Sequence, residues 1–133
     1  MNLRGSRTIV CAGAPPPVGP YSQAVAYSGM ILTAGQIGMD PATGLIPPGA
    51  AAQAERALRN LAAVLEAAGS GLDRVLKVTI FLTSMSDFEE VNRVYSGCFH
   101  EPFPARSTVA VAGLPKGALV EMEATAGLEG TQC

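Results

Sequence analysis

From Ala50 to Ala68 the chain carries an apolar stripe that only a helix can present to a core. Ala54, Ala57, Leu58, Leu61, Val64, Leu65 and Ala68 recur at three- and four-residue steps, while Gln53, Arg56, Arg59, Asn60 and Glu66 cover the other side. Gly69 is the residue expected just past the C-terminus of such a helix. At about 1.5 Å per residue the helix extends about 28 Å, enough to cross a small sheet. A strand follows almost at once. Arg74 to Ser84 alternates, with Leu76, Val78, Ile80 and Leu82 on one side and Lys77, Thr79 and Thr83 on the other beside Val75 and Phe81. A long amphipathic helix laid over an alternating strand calls for an α+β or α/β layer.

The remaining elements fit that frame. Arg7 to Cys11 is a short strand, and the Pro/Gly loop from Ala12 to Pro20 can be neither helix nor central strand. Gln23 to Tyr27 and Met30 to Ala34 read as two strands around a Ser28-Gly29 turn. Gly35 follows directly, where a missing side chain lets another group approach the backbone. Ser86-Asp-Phe-Glu89 is a capping box that opens a second helix to about Phe99, with Phe88, Val91, Tyr95, Cys98 and Phe99 as its stripe. The prolines of Pro102-Phe-Pro104 force an extended entry to two β-rich runs, Ala105 to Ala112 and Leu119 to Ala126. The expectation is one domain over 1–133, with a core at about 7–127, a loose lead-in and a C-terminal tail. Both helices lie on one face of the sheet.

The composition narrows the function. The chain is 133 residues long, 48% hydrophobic and only 15% charged. No run approaches the roughly 18 apolar residues of a membrane span, so the excess points to a buried interface between identical subunits. A net charge of −2 without a basic stripe argues against nucleic acid. Three cysteines (Cys11, Cys98, Cys133) without CxxC or zinc spacing imply reduced thiols and a cytoplasmic setting, and no apolar leader core is present. GxGxxG and GxxxxGK[ST] are both missing, so no nucleotide cofactor is expected, and no ligand cluster supports a metal. The one histidine, His100, beside Glu101 and Pro102, reads as a surface residue.

What remains is an electrostatic and hydrogen-bonding set: Arg106, Glu121, Tyr21, Asn92 and the Gly35 backbone. Period two puts Arg106, Thr108, Ala110 and Ala112 on one face of their strand. It groups Leu119, Glu121, Glu123 and Thr125 opposite Val120, Met122, Ala124 and Ala126. Arginine grips a carboxylate through two parallel hydrogen bonds, and a glutamate in apolar surroundings can serve as acid or base. An interface ion pair explains the two charges equally well. If the last two runs formed a simple hairpin, Arg106 would face Thr125 and lie roughly 13 Å from Glu121 at 3.3 Å per residue.

Six ordered motifs carry a resemblance over about Arg7 to Gly127. They are Gly19-Pro-Tyr-Ser-Gln23, Thr33-Ala-Gly-Gln-Ile37, Asp87-Phe-Glu-Glu-Val-Asn92 with Tyr95, Phe103-Pro-Ala-Arg-Ser107, Leu114-Pro-Lys116 and Val120-Glu-Met-Glu-Ala124. Together they resemble the reactive intermediate deaminase (Rid) family, also labelled L-PSP endoribonucleases or translation inhibitors. The resemblance implies a chorismate-mutase-like α+β fold with a mixed six-stranded sheet, in which the final strand inserts beside the middle strands. It further implies a homotrimer with sites between subunits and a small anionic 2-imino or enamine acid, such as 2-aminoacrylate, as substrate. Carried over, Arg106 clamps the carboxylate and Glu121 manages water and a proton, while Tyr21, Ala34, Gly35, Asn92 and Thr108 line the cleft. Two positions depart from the pattern: Thr108 stands where the family often has Cys, and Ala34 where it often has Ser. A ribonuclease or translation inhibitor, and a carboxylate-sensing or chaperone-like trimer without turnover, are the competing readings.

Overall fold

The structure, a computed structural model, describes residues 5–128. Most of the expected lead-in and the tail with Cys133 lie outside the described residues. The elements run β1 (Arg7–Ile9), β2 (Ala24–Tyr27), β3 (Met30–Thr33), β4 (Gln36–Ile37), α1 (Ala50–Ala67), β5 (Val75–Leu82), α2 (Phe88–Ser96), β6 (Ala105–Ala110) and β7 (Val120–Gly127). The sheet is mixed and has seven strands, in the order β1-β2-β3-β7-β5-β6 with β4 paired to β7. The six strands expected are the six of that path. The seventh, β4, is only two residues long and too short to leave a periodic signal.

The last strand is not half of a hairpin. β7 runs antiparallel to both β3 and β5, whereas β6 runs parallel to β5 at the edge. The insertion implied by the resemblance is therefore present, and the hairpin register is corrected. The β2–β3 hairpin forms as expected, with Ser28 and Gly29 both at positive φ (51° and 78°), the backbone of a type I′ turn.

Two local readings change. A β-bulge between Val75 and Lys77 turns Val75 inward and leaves Leu76 54% exposed, so Val75, Val78, Ile80 and Leu82 form the buried side of β5. The second helix starts later and ends sooner than expected, after a 3₁₀ turn at Met85–Asp87. Its entry is capped by Ser84, whose Oγ accepts from the Ser86 N–H at 3.2 Å, and not by Ser86. Ser84 still has extended backbone (φ −151°, ψ 132°), the conformation that lets a side chain reach back to a free N–H.

One core joins both helices to one sheet face. Leu58, Leu61, Val64 and Leu65 of α1 and Val91 and Tyr95 of α2 pack with Val78, Ile80, Val120 and Met122. Each fully buried aliphatic side chain contributes roughly 1.5–3 kcal/mol. The other face of the sheet is open, and Leu32 (51%), Val109 (41%) and Tyr27 (49%) remain exposed there and along its edges. Among the described residues no helix is long and apolar enough to cross a membrane.

Candidate functional site

Strict alternation along β7 sends Val120, Met122, Ala124 and Ala126 under the helices and so turns Glu121 and Glu123 to the open face. Glu121 lies between Ile37 of β4 and Phe81 of β5. The register against β7 slips by one residue across Thr33–Gly35, and Thr33 Oγ1 takes the Ala124 N–H at 3.0 Å. That slip brings the Gly35 backbone onto the Glu121 side chain: a Cβ at Gly35 would overlap the Glu121 carboxylate. The sequence expected close approach at Gly35, and its partner is the catalytic candidate itself.

Glu121 opens into a cavity of about 460 Å³ that Tyr21, Ala34 and Gly35 also line. Pro15, Pro16, Val18, Ile37 and Met39 supply its apolar wall, and Lys116 stands on its border at φ +56°. Burial pushes the Glu121 carboxyl above its ordinary pKa, and the nearby Glu123 charge adds to the rise. Among the described residues Glu121 has no cation within ion-pair distance and accepts no hydrogen bond. Tyr21 is half exposed, and its hydroxyl accepts from the Val18 N–H at 3.3 Å.

The other candidates gather elsewhere. Arg106 pairs with Val78, whose side chain faces the helices, so Arg106 and Glu121 emerge on opposite sides of the sheet. They stand two strands and three residues apart, about 14 Å between backbones at 4.8 Å per strand and 3.3 Å per residue. Arg106 lies at the free edge against α2. Its Nη1 donates to Asn92 Oδ1 at 2.7 Å, and its guanidinium carbon lies 4.8 Å from the Tyr95 ring centre and 5.8 Å from that of Phe88. Thr108 shares this edge with its Oγ1 buried and unpartnered. Burial raises the Tyr95 phenol pKa while Arg106 opposes the rise, and that hydroxyl too has no partner. The seven candidates thus fall into two separate groups, Tyr21/Ala34/Gly35/Glu121 and Asn92/Arg106/Thr108.

Sequence reasoning missed the side chains that hold the first half in place. Gln53 and Asn60 were assigned to the wet face of α1 but are 5% and 0% exposed. Asn60 Nδ2 donates to the carbonyls of Ile37 (3.1 Å) and Met39 (2.9 Å). Gln53 Oε1 accepts the Leu119 N–H at 2.8 Å, two residues before Glu121. Gln23, 3% exposed, binds Cys11 through both amide atoms and also donates to Pro15 O at 2.9 Å, fixing the proline loop. The available signal was position: a seven-residue step from Gln53 to Asn60 keeps both on one side of a helix. Among the described residues no cluster of three metal-ligating side chains exists.

The chain is similar to known proteins over most of its length. The family model described as Endoribonuclease L-PSP matches residues 11–128. The 2-iminobutanoate/2-iminopropanoate deaminase of Bos taurus is 48% identical over 121 residues, 90% of this chain and 88% of the relative. The Escherichia coli K12 protein of the same name is 45% identical over 124 residues, 91% and 97% of the two chains. The crystal structure of RidA from an Antarctic Psychrobacter superposes with a TM-score of 0.89 at 43% identity, over 92% of this chain and 99% of that one. With the motifs, the inserted strand and these relatives in agreement, the chain belongs to the endoribonuclease L-PSP (Rid) family.

Proposed function

We propose that this protein hydrolyses 2-imino acids and their enamine tautomers to 2-keto acids and ammonia, at a site completed by a second copy of the chain. The observation that carries the reading is Glu121: a half-buried carboxyl of raised pKa, pressed on backbone at the mouth of a cavity, with no cation of its own. No cation pairs with Glu121 there, and Lys116, the cation on the cavity border, is exposed and screened by water. The same chain displays an oriented guanidinium at an exposed sheet edge, where its own Glu121 cannot reach it. Docking the edge of one protomer near the open sheet face of another brings the halves together, and the exposed Leu32 and Val109 give that docking an apolar driving force. A cyclic homotrimer closes such a head-to-tail contact and leaves three sites.

The chemistry needs little more. Arg106 of one protomer holds the substrate carboxylate in its planar fork. Water adds to the electrophilic C2 of the imine while the Glu121 carboxylate of the other protomer takes a water proton and returns it to nitrogen. The resulting carbinolamine collapses to the C2 carbonyl, breaking the C–N bond and releasing ammonia. An enamine first takes a proton at C3. Positioning and one proton shuttle suffice for a carbon already so reactive. No step calls for a thiol, consistent with threonine at position 108.

The deciding experiment mixes two inactive variants, Arg106→Ala and Glu121→Ala, by joint unfolding and refolding. Each alone leaves imine decay at the uncatalysed rate. With equal amounts about a quarter of interfaces pair an intact arginine with an intact glutamate, so about a quarter of wild-type activity returns. Absence of recovery, or a wild-type protein that cleaves RNA and leaves imines untouched, refutes the reading.

A further inference from the structure

We propose that the groove between α1 and α2 is a second ligand site, shaped for an anion that carries an apolar tail. The groove encloses about 450 Å³, within the roughly 300–1,000 Å³ of pockets that hold small molecules. Its walls come from α1, from α2 with the Gly97-Cys98 turn after it, and from Leu72. The helices cover one face of the sheet, whereas the proposed contact between copies uses the other face and the β6 edge. One chain therefore holds the groove whole. The proposal is independent of the deaminase reading and involves neither Glu121 nor Arg106.

The charge that selects an anion comes from Arg59 of α1 and Arg93 of α2, which both border the groove. Each has a glutamate four residues earlier on its own helix, Glu55 and Glu89, the spacing and order that favour a helical ion pair. Neither pair forms. Among the described residues Arg59 and Arg93 have no carboxylate within 4.0 Å and no hydrogen-bond partner. Glu55 also lines the groove, so its border carries two cations against one anion. The floor is apolar: Leu58 is 2% exposed, and Leu72, Val94 and Cys98 pack against the core. Burial, and next the Glu55 charge, raise the Cys98 thiol pKa, so the sulfur stays protonated and acts as apolar surface. A carboxylate can take donors from both arginines while its tail displaces water from this floor. Both arginines are exposed, so water screens their pull, and the tail supplies most of the affinity. Each methylene laid on the floor is worth about a fourfold gain.

The test follows maleimide alkylation of Cys98 by peptide mass analysis, because a tail on the floor covers that thiol. Cys98 is partly exposed, whereas Cys11 is buried. Octanoate should slow the reaction about fivefold or more at saturation, with at least about tenfold higher affinity than butanoate. Octylammonium, with the same tail and the opposite charge, should give no protection. Arg59→Gln combined with Arg93→Gln should weaken octanoate about tenfold or more, and both side chains are exposed, so the fold tolerates the change. Arg106→Ala should leave the protection intact, which separates the groove from the proposed catalytic site. Alkylation indifferent to octanoate overturns the site. So does equal protection by octylammonium, equal affinity for butanoate, full protection in the double variant, or loss of protection in Arg106→Ala. The butanoate and octylammonium comparisons need only the wild-type protein, so they decide even where a variant fails to fold.

Discussion

Arg106 Nη1 donates to Asn92 Oδ1 at 2.7 Å, and its guanidinium carbon rests 4.8 Å from the Tyr95 ring centre. A free arginine on an edge strand would sample many rotamers. Here one donor is engaged by an amide and one face by a π-system, so the remaining N–H groups point in a restricted direction. In the proposed mechanism this alignment prepares a grip on an anion before the anion arrives.

This makes the fork, not the charge, the tested quantity. Arg106→Lys keeps the positive charge but loses bidentate geometry, and kcat/KM for imine hydrolysis should fall about a hundredfold. Asn92→Ala leaves the arginine in place but unaligned, so KM should rise about tenfold while kcat changes less. Steady-state kinetics on both variants checks the pair. A lysine variant at wild-type efficiency would rule out carboxylate clamping.

Gly35 and Gly38 separate activity from stability. The nearest atoms to a Cβ at Gly35 belong to the Glu121 side chain, which can swing away, whereas those at Gly38 belong to the Gln53 backbone of α1. Gly35→Ala should therefore fold normally and lose about a hundredfold in kcat/KM, because the carboxylate is displaced by about an ångström. Gly38→Ala should lose about 1–3 kcal/mol in chemical denaturation, since packed backbone cannot yield. Reversed phenotypes would show that Gly35 is structural.

How much of this was legible in sequence depends on the range of the signal. The alternation of Val120 to Ala126 and the stripe of Leu58 to Leu65 were correct because each is a local period. Val75 and Leu76 exchanged sides because a bulge is invisible to periodicity. The position of β7 between β3 and β5 is a long-range pairing that no local pattern encodes, and it entered as an expectation only through the motifs. Arg106 and Glu121 stand out in the sequence as charges that need water, a partner or a ligand. Their placement on opposite sheet faces follows from that same pairing, so composition could not predict it. Asn60 was misplaced because a polar residue on a helix is assigned to water by default, whereas here carbonyls of an incoming loop replace the water.

Those buried amides carry their own prediction. Asn60→Ala removes the amide donor to both Ile37 O and Met39 O; Ile37 O keeps the Met39 N–H at 2.9 Å, whereas Met39 O loses the amide that held it. The cost should be about 1–3 kcal/mol in denaturation. The freed loop borders the cavity, so kcat/KM should drop as well, measured on protein held well below its unfolding transition. Full stability in Asn60→Ala would mean that water replaces the amide without loss.

The raised pKa of Glu121 couples stability to catalysis. Burial is the larger cause and Glu123 the smaller. A carboxyl whose folded pKa exceeds its unfolded value, about 4.3 for glutamate, binds its proton more tightly in the fold. Its contribution to stability is thus fully present below the unfolded pKa, and is lost as pH rises through the folded one. Glu121→Gln, neutral at every pH, should then raise the thermal midpoint at pH 7 and leave it little changed at pH 4. The gain is modest because water still screens a half-buried group. Catalysis runs the other way. In the proposed mechanism the carboxylate is the proton acceptor, so kcat/KM should climb with pH along a limb centred above the ordinary glutamate value. Glu123→Gln removes the smaller cause and should move that limb to lower pH without abolishing activity. Differential scanning calorimetry at two pH values and a pH–rate profile of each variant test both consequences. A limb that stays fixed in Glu123→Gln would assign it to some group other than Glu121.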